Sequence, residues 1–143
     1  MIKEGSKHID RPAVLDDSIL KAARRVQKDF GLSEGWINVR AAAVFDFGFP
    51  EGVLERVITQ QFGGNLTIHF LGRYDQIHFK LYAALESERR SAHLSDLLAL
   101  NPAEREIENA AKWIMTRESG ETYKPALQNL LKQIGFKNAA AKL

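Results

Sequence analysis

An α+β fold is the class this 143-residue sequence predicts, and three observations predict it. Leu66, Ile68 and Phe70 alternate with Thr67 and His69, the two-residue period of a strand with one apolar face. Elsewhere apolar residues recur three and four positions apart, the period of a helix face. Beyond Gly72 the helical pattern is unbroken, so a single domain is expected with an αβ part over residues 1–72 and a helical part of four helices over residues 73–143.

Asp16 and Asp17 stand where a helix N-terminus favours carboxylates, ahead of a stripe of Ile19, Leu20, Ala23, Val26 and Phe30 that Gly31 ends. From Trp36 the pattern changes: Val39, Ala41, Ala43, Phe45 and Phe47 alternate with Arg40, Ala42, Val44 and Asp46, which suits a strand and leaves a short Ala-rich helix as the alternative. Pro50 and Glu51 open a helical pattern through Val53, Leu54, Val57, Ile58 and Phe62, closed by Gly63-Gly64, and a strand follows over Asn65 to Leu71. The four later helices are read from punctuation as much as from stripes. Tyr74 to Ser87 carries Ile77, Leu81, Ala84 and Leu85, and a short helix after Ser91 turns Leu94, Leu97 and Leu98 inward. Asn101-Pro102-Ala103-Glu104 has a favoured cap, Pro at the first helical position and Glu three residues on, opening a helix that buries Ile107, Ala110, Ala111 and Ile114. Thr122 to Ile134 buries Leu127, Leu130, Leu131 and Ile134, with Gly135 as its C-cap and a frayed Ala-rich tail after Lys137. Two strands, or three with one from the N-terminus, make a small mixed sheet that the helices must cover.

Composition narrows the chemistry. Lys and Arg number 20 against 18 Asp and Glu, a net charge of +2, so no basic surface of the kind that binds nucleic acid is expected. The absence of Cys excludes disulfides, thiolate nucleophiles, iron–sulfur clusters and zinc ribbons, and fits a reducing compartment. No apolar run is long enough to span a bilayer, so a cytoplasmic protein is expected. His8, His69, His78 and His93 include no pair at helical spacing, which argues against a zinc site, and His69 reads as a half-exposed strand residue. Gly63-Gly64 precedes a strand and reads as a turn, not a phosphate loop.

Two constellations remain. In Ser6-Lys7-His8-Ile9-Asp10, an extended backbone would place His8 and Asp10 on one face. Two carboxylates at that spacing would hold Mg²⁺ against a triphosphate, but a His–Asp pair is a poorer site, and a solvated polar terminus is the plainer reading. The second constellation is Lys80 and Asp96, separated by Arg89, Arg90 and His93. If the helices bearing them pack antiparallel, the ammonium and the carboxylate meet. As an ordinary surface ion pair they would contribute about 0–1 kcal/mol.

The runs Phe79-Lys80-Leu81-Tyr82-Ala83-Ala84, His93-Leu94-Ser95-Asp96-Leu97, Leu100-Asn101-Pro102 and Ala110-Ala111-Lys112-Trp113, in that order, resemble the C-terminal half of bacterial nucleotidyltransferase-like proteins of unknown function, a group related to abortive-infection nucleotidyltransferase toxins. Gly35-Trp36-Ile37-Asn38, after Gly31-Leu32, is similar to an element of the same group, and the likeness spans residues 8–136. The resemblance implies a small mixed sheet with an appended helical region. It implies a catalytic role for Lys80 and Asp96, with Arg89 or Arg90 contacting nucleotide phosphate; the carboxylate would orient the lysine.

Such enzymes also carry Gly-Ser at the start of a helix and an Asp-x-Asp pair on a strand. Here Gly5-Ser6 lies too close to Asp10 to be that element, and His8 stands in place of the first Asp. Asp10 is left as a catalytic and metal candidate, with Asp46 as a further carboxylate for a metal. The expectation is therefore a truncated or non-catalytic relative, a binding or accessory component in a toxin–antitoxin or defence-type setting. No cofactor is expected unless the chain is active, when Mg²⁺, a nucleoside triphosphate and a target such as tRNA would be required. An active enzyme completed by a longer chain or a partner is one alternative, and a helical protein–protein module is another. Exposed sheet edge and core on such a truncated fold predict self-association or a protein partner, with no membrane role.

Overall fold

The computed structural model describes residues 15–37, 48–86, 90–118 and 120–143. The pattern Val39 to Phe47, His8, Asp10, Asp46 and Arg89 lie outside the described residues. Among those described, seven helices and one two-stranded antiparallel sheet make a mostly helical α+β protein. No helix there is long and apolar enough to cross a membrane. The chain divides into two compact units, Met1–Gly48 and Phe49–Leu143.

The first unit holds α1, Asp17–Phe30. Asp16 caps it, its Oδ1 accepting from the Ser18 amide at 2.8 Å, which satisfies a backbone donor the helix itself cannot. At the other end Gly31 takes a left-handed φ of 64°, and the Leu32 amide reaches back to the Gln27 carbonyl at 3.0 Å, closing the helix in a Schellman turn. Ala23 is buried and its carbonyl accepts from Trp36 Nε1 at 3.2 Å. The rest of the stripe stays open to solvent: Ile19, Val26 and Phe30 are all exposed.

The second unit begins with α2, Val53–Arg56, followed directly by strand β1, Ile58–Phe62. The helical pattern expected to run on to Phe62 therefore ends at Arg56. Ile58 and Phe62 are four apart, a spacing that fits one helix face and one strand face equally. The β-branched run Val57-Ile58-Thr59 and a pairing partner beyond Gly63 decide for the strand. Strand β2, Leu66–Phe70, pairs with β1 antiparallel, with Ile58 opposite Phe70, Gln60 opposite Ile68 and Phe62 opposite Leu66. Residues directly opposite share a face, so Ile58, Phe62, Leu66, Ile68 and Phe70 stand together with only Gln60 among them. The helices were expected to cover this face, and those of the same unit leave it open: Ile58, Leu66, Phe62 and Phe70 are 63, 50, 44 and 44% exposed.

The helical part has five helices rather than four: α3, Arg73–Glu86; α4, Arg90–Ala99; α5, Glu104–Met115; α6, Tyr123–Gln133; and α7, Lys137–Ala141. Their stripes meet in one core, where Ile77, Leu81, Leu97, Ile107, Ile114, Leu127 and Leu131 are all fully buried. Each such side chain contributes about 1.5–3 kcal/mol relative to leaving it in water. Leu98, expected inward, is exposed, and Trp113 of α5, outside the predicted stripe, is buried. The α5 cap is displaced from Asn101 to Ala103, whose amide donates to Glu106 Oε2 at 2.8 Å. Asn101 instead adopts φ 46°, consistent with the bias against right-handed helical backbone before Pro102. The same Glu106 carboxylate pairs with Arg73 of α3, and Arg73 also donates to the carbonyls of Leu100 and Asn101, so one guanidinium fixes α3 against the start of α5.

Gly135, at φ 95°, ends α6 as expected, with the Phe136 amide on the Leu131 carbonyl at 2.8 Å. The tail is not frayed. It forms α7, with Ala139 and Ala140 buried; the Ala139 amide is held by Glu104 Oε1 at 2.7 Å and the Ala140 carbonyl by Gln128 at 3.2 Å.

Candidate functional site

Lys80 and Asp96 meet. The α3 residue Lys80 lies away from the buried Ile77–Leu81–Ala84 stripe, and α4 packs back along α3 so that Lys80 Nζ donates to Asp96 Oδ2 at 2.5 Å. The side chains are 33% and 54% exposed. The ammonium holds the Asp96 carboxyl below its ordinary range, chiefly through this hydrogen bond. Arg90, the proposed phosphate contact, donates from Nε to the Ala84 carbonyl at 3.0 Å and so closes the C-terminal turn of α3. His93 lies one helical turn before Asp96, and its buried Nδ1 has no hydrogen-bond partner among the described residues. Chemically this cluster is an ion pair that can present an oriented cation to an anion. Among the described residues no group of three or more His, Asp or Glu side chains is placed to hold a metal ion.

His69 is exposed, and its Nδ1 lies 2.9 Å from Oγ1 of Thr59, directly opposite it on β1. It belongs to a polar cross-strand pair on the face opposite the apolar one.

Two buried polar residues carried no sequence signal. Asp75, in the first turn of α3, is fully buried and bound in a fork by Arg56, Nε to Oδ2 at 3.0 Å and Nη2 to Oδ1 at 2.6 Å. Arg56 also donates to the Glu51 carbonyl at 2.8 Å and lies 4.8 Å over the Tyr74 ring. The carboxylate raises the guanidinium pKa, chiefly through the hydrogen bond between them. The pair ties the segment before β1 to α3. His78, one turn on, is 2% exposed, with Nδ1 at 2.8 Å from the Tyr74 carbonyl and its ring 5.6 Å from that of Trp113. Burial pushes its pKa down. A carbonyl only accepts, so Nδ1 carries the proton and the neutral ring leaves Nε2 as an acceptor. His78 lines a cleft of about 450 Å³ between α3, α5 and residues 50–51, together with Glu51, Asn109, Lys112, Trp113 and Arg117.

Comparison of the chain with protein-family models, with curated proteins and with solved structures found no match.

Proposed function

We propose that this chain is a non-catalytic, nucleotidyltransferase-like accessory component that works through association, its hairpin face taking a second copy of the chain. The single observation that carries this reading is the β1–β2 face, where Ile58, Phe62, Leu66 and Phe70 are open to solvent on a hairpin. Two strands alone are marginal in water and gain stability when an apolar face is covered. The face has no charged side chain and the chain a net charge of only +2, so it favours an uncharged surface like itself and two copies repel little. Four half-exposed side chains of this size amount to about 400 Å² on each copy, roughly 800 Å² in all, which is the range of weak, reversible contacts rather than obligate dimers. Sedimentation velocity from low to high micromolar concentration tests it. A monomer–dimer equilibrium removed by Phe70→Lys is expected, whereas a monomer throughout, or a dimer indifferent to that substitution, overturns it.

A second reading, nucleotidyl transfer, is favoured by the Lys80–Asp96 ion pair, which joins the two residues that the resemblance implies at an active site. It would require Mg²⁺ held by carboxylates, for which Asp10 and Asp46 are the candidates. Transfer of labelled nucleotide from ATP, CTP, GTP or UTP to tRNA or protein, abolished by Lys80→Ala, would replace the first reading with this one.

A further inference from the structure

The hairpin leaves an edge open as well as a face. We infer that the second copy joins it strand to strand: β2 pairs antiparallel with β2 of the other copy about Ile68, making one four-stranded sheet across the two. This rests on the reading that the hairpin takes a second copy, and names how that copy is held. Three features carry it.

The first is an unguarded edge. The three-residue turn 63–65 closes on Phe62 and Leu66, and the alternation of an antiparallel ladder then makes Gln60–Ile68 and Ile58–Phe70 the further hydrogen-bonded pairs. Thr59–His69 and Gln61–Thr67, the pairs between them, point their amides and carbonyls out of the hairpin. The 2.9 Å contact from Thr59 Oγ1 to His69 Nδ1 fits the closer approach of pairs of that kind. No backbone hydrogen bond reaches these outward groups among the described residues. Open edges are ordinarily guarded by a charge, a Pro or a bulge, yet residues 57–72 hold no Lys, Arg, Asp, Glu or Pro and the register runs unbroken from Ile58–Phe70 to Phe62–Leu66.

The second is the kind of partner such an edge selects. Outward amides and carbonyls are satisfied by another extended backbone, and with no like charges to oppose each other the same strand of a second copy serves. The cations that flank the hairpin are already engaged, Arg56 by Asp75 and Arg73 by Glu106. Two strands are marginal in water, and four reach the size at which a sheet with an apolar face holds together.

The third is register, which decides between the two edges. A two-fold axis through Ile68 sets Ile68 on its counterpart and Leu66 opposite Phe70 on either side, so every pair on the apolar face is apolar, while Thr67 and His69 meet through their outward groups. The same operation on β1 is centred on Gln60 and sets one amide side chain on another between the Ile58–Phe62 pairs. The join therefore falls on β2.

The test uses the absence of Cys from the chain, which lets a single introduced one report alone. Strand pairing brings the two Ile68 Cα atoms to about 4.5 Å, within reach of a disulfide, whereas sheets packed face to face stand about 10 Å apart, beyond it. Under mild oxidation of the full chain at associating concentrations, Ile68→Cys is expected to link copies into a covalent dimer, with Gln60→Cys linking at least tenfold more slowly. Thr67→Pro removes one outward amide and spares the pairs inside the hairpin, so it should weaken dimerisation in sedimentation at least tenfold; Thr59→Pro, the same change on the β1 edge, should leave it unchanged. A dimer that Phe70→Lys ends but Thr67→Pro leaves intact, with Ile68→Cys unlinked, overturns the strand pairing alone and keeps the second copy on the face. A monomer at every concentration overturns both. Gln60→Cys linking as fast as Ile68→Cys, or equal loss in the two proline variants, overturns β2 as the joined edge.

Discussion

The hairpin and the five-helix assembly that follows it are made of similar side chains and treat them in opposite ways. In the helices Ile77, Leu81, Ile107, Ile114, Leu127 and Leu131 are wholly withdrawn from water, whereas in the hairpin the equivalent apolar positions remain about half in it. The lesson is that one part of this protein completes its own core and the other presents an unfinished one. A surface of that kind is a binding surface more often than an accident of folding.

Substitutions in the two regions should separate accordingly. The largest effect is expected in the helical core: Leu81→Ala or Ile114→Ala should lower the unfolding free energy by about 2–5 kcal/mol in urea titrations, through lost burial and the cavity left behind. A loss under about 1 kcal/mol would mean that this core is not closely packed. Next is the lock between the segment before β1 and α3. Arg56→Ala leaves the Asp75 carboxylate buried without its guanidinium and should cost about 3 kcal/mol. The Arg56→Ala,Asp75→Ala double variant should recover part of that loss.

The pH dependence of stability gives a smaller effect with a definite sign. The pKa of His78 is lowered by burial, so the folded state disfavours the imidazolium. Its contribution is fully present above the unfolded value of about 6.5 and is lost as pH falls through the lower folded value. Urea midpoints measured downward from pH 7 should fall less steeply in His78→Asn than in the parent chain, and parallel profiles would place the imidazole in a more solvated setting. Lys80→Ala should change stability by less than about 1 kcal/mol, since the pair it breaks is largely exposed. Phe70→Lys should also cost the isolated chain little, while ending association.

Much of this was legible in the sequence where a local group fixes a local outcome. Asp16 and Gly31 bound α1, Gly135 ends α6, and the α5 stripe of Ile107, Ala110, Ala111 and Ile114 is buried as its spacing dictates. Lys80 and Asp96 were placed together by the expectation of antiparallel helices, and they touch. What stayed hidden was set by partners distant in the chain. β1 has an i, i+4 pair that a helix would also show, and its β-branched start decides for a strand once β2 is there to pair with it. Three alanines after Lys137 read as a loose end, yet Glu104 and Gln128, from two other helices, hold the tail in place. Asp75 and His78 looked like ordinary polar residues of a solvated helix, because nothing in their neighbourhood along the chain announces Arg56 or Trp113.

Amide hydrogen exchange across Ile58–Phe70, followed as a function of protein concentration, tests the unfinished hairpin most directly. If a second copy covers that face, these amides exchange quickly in dilute solution and gain protection as concentration rises, while the amides of α5 stay slow throughout. Hairpin amides whose protection does not change with concentration would contradict the account.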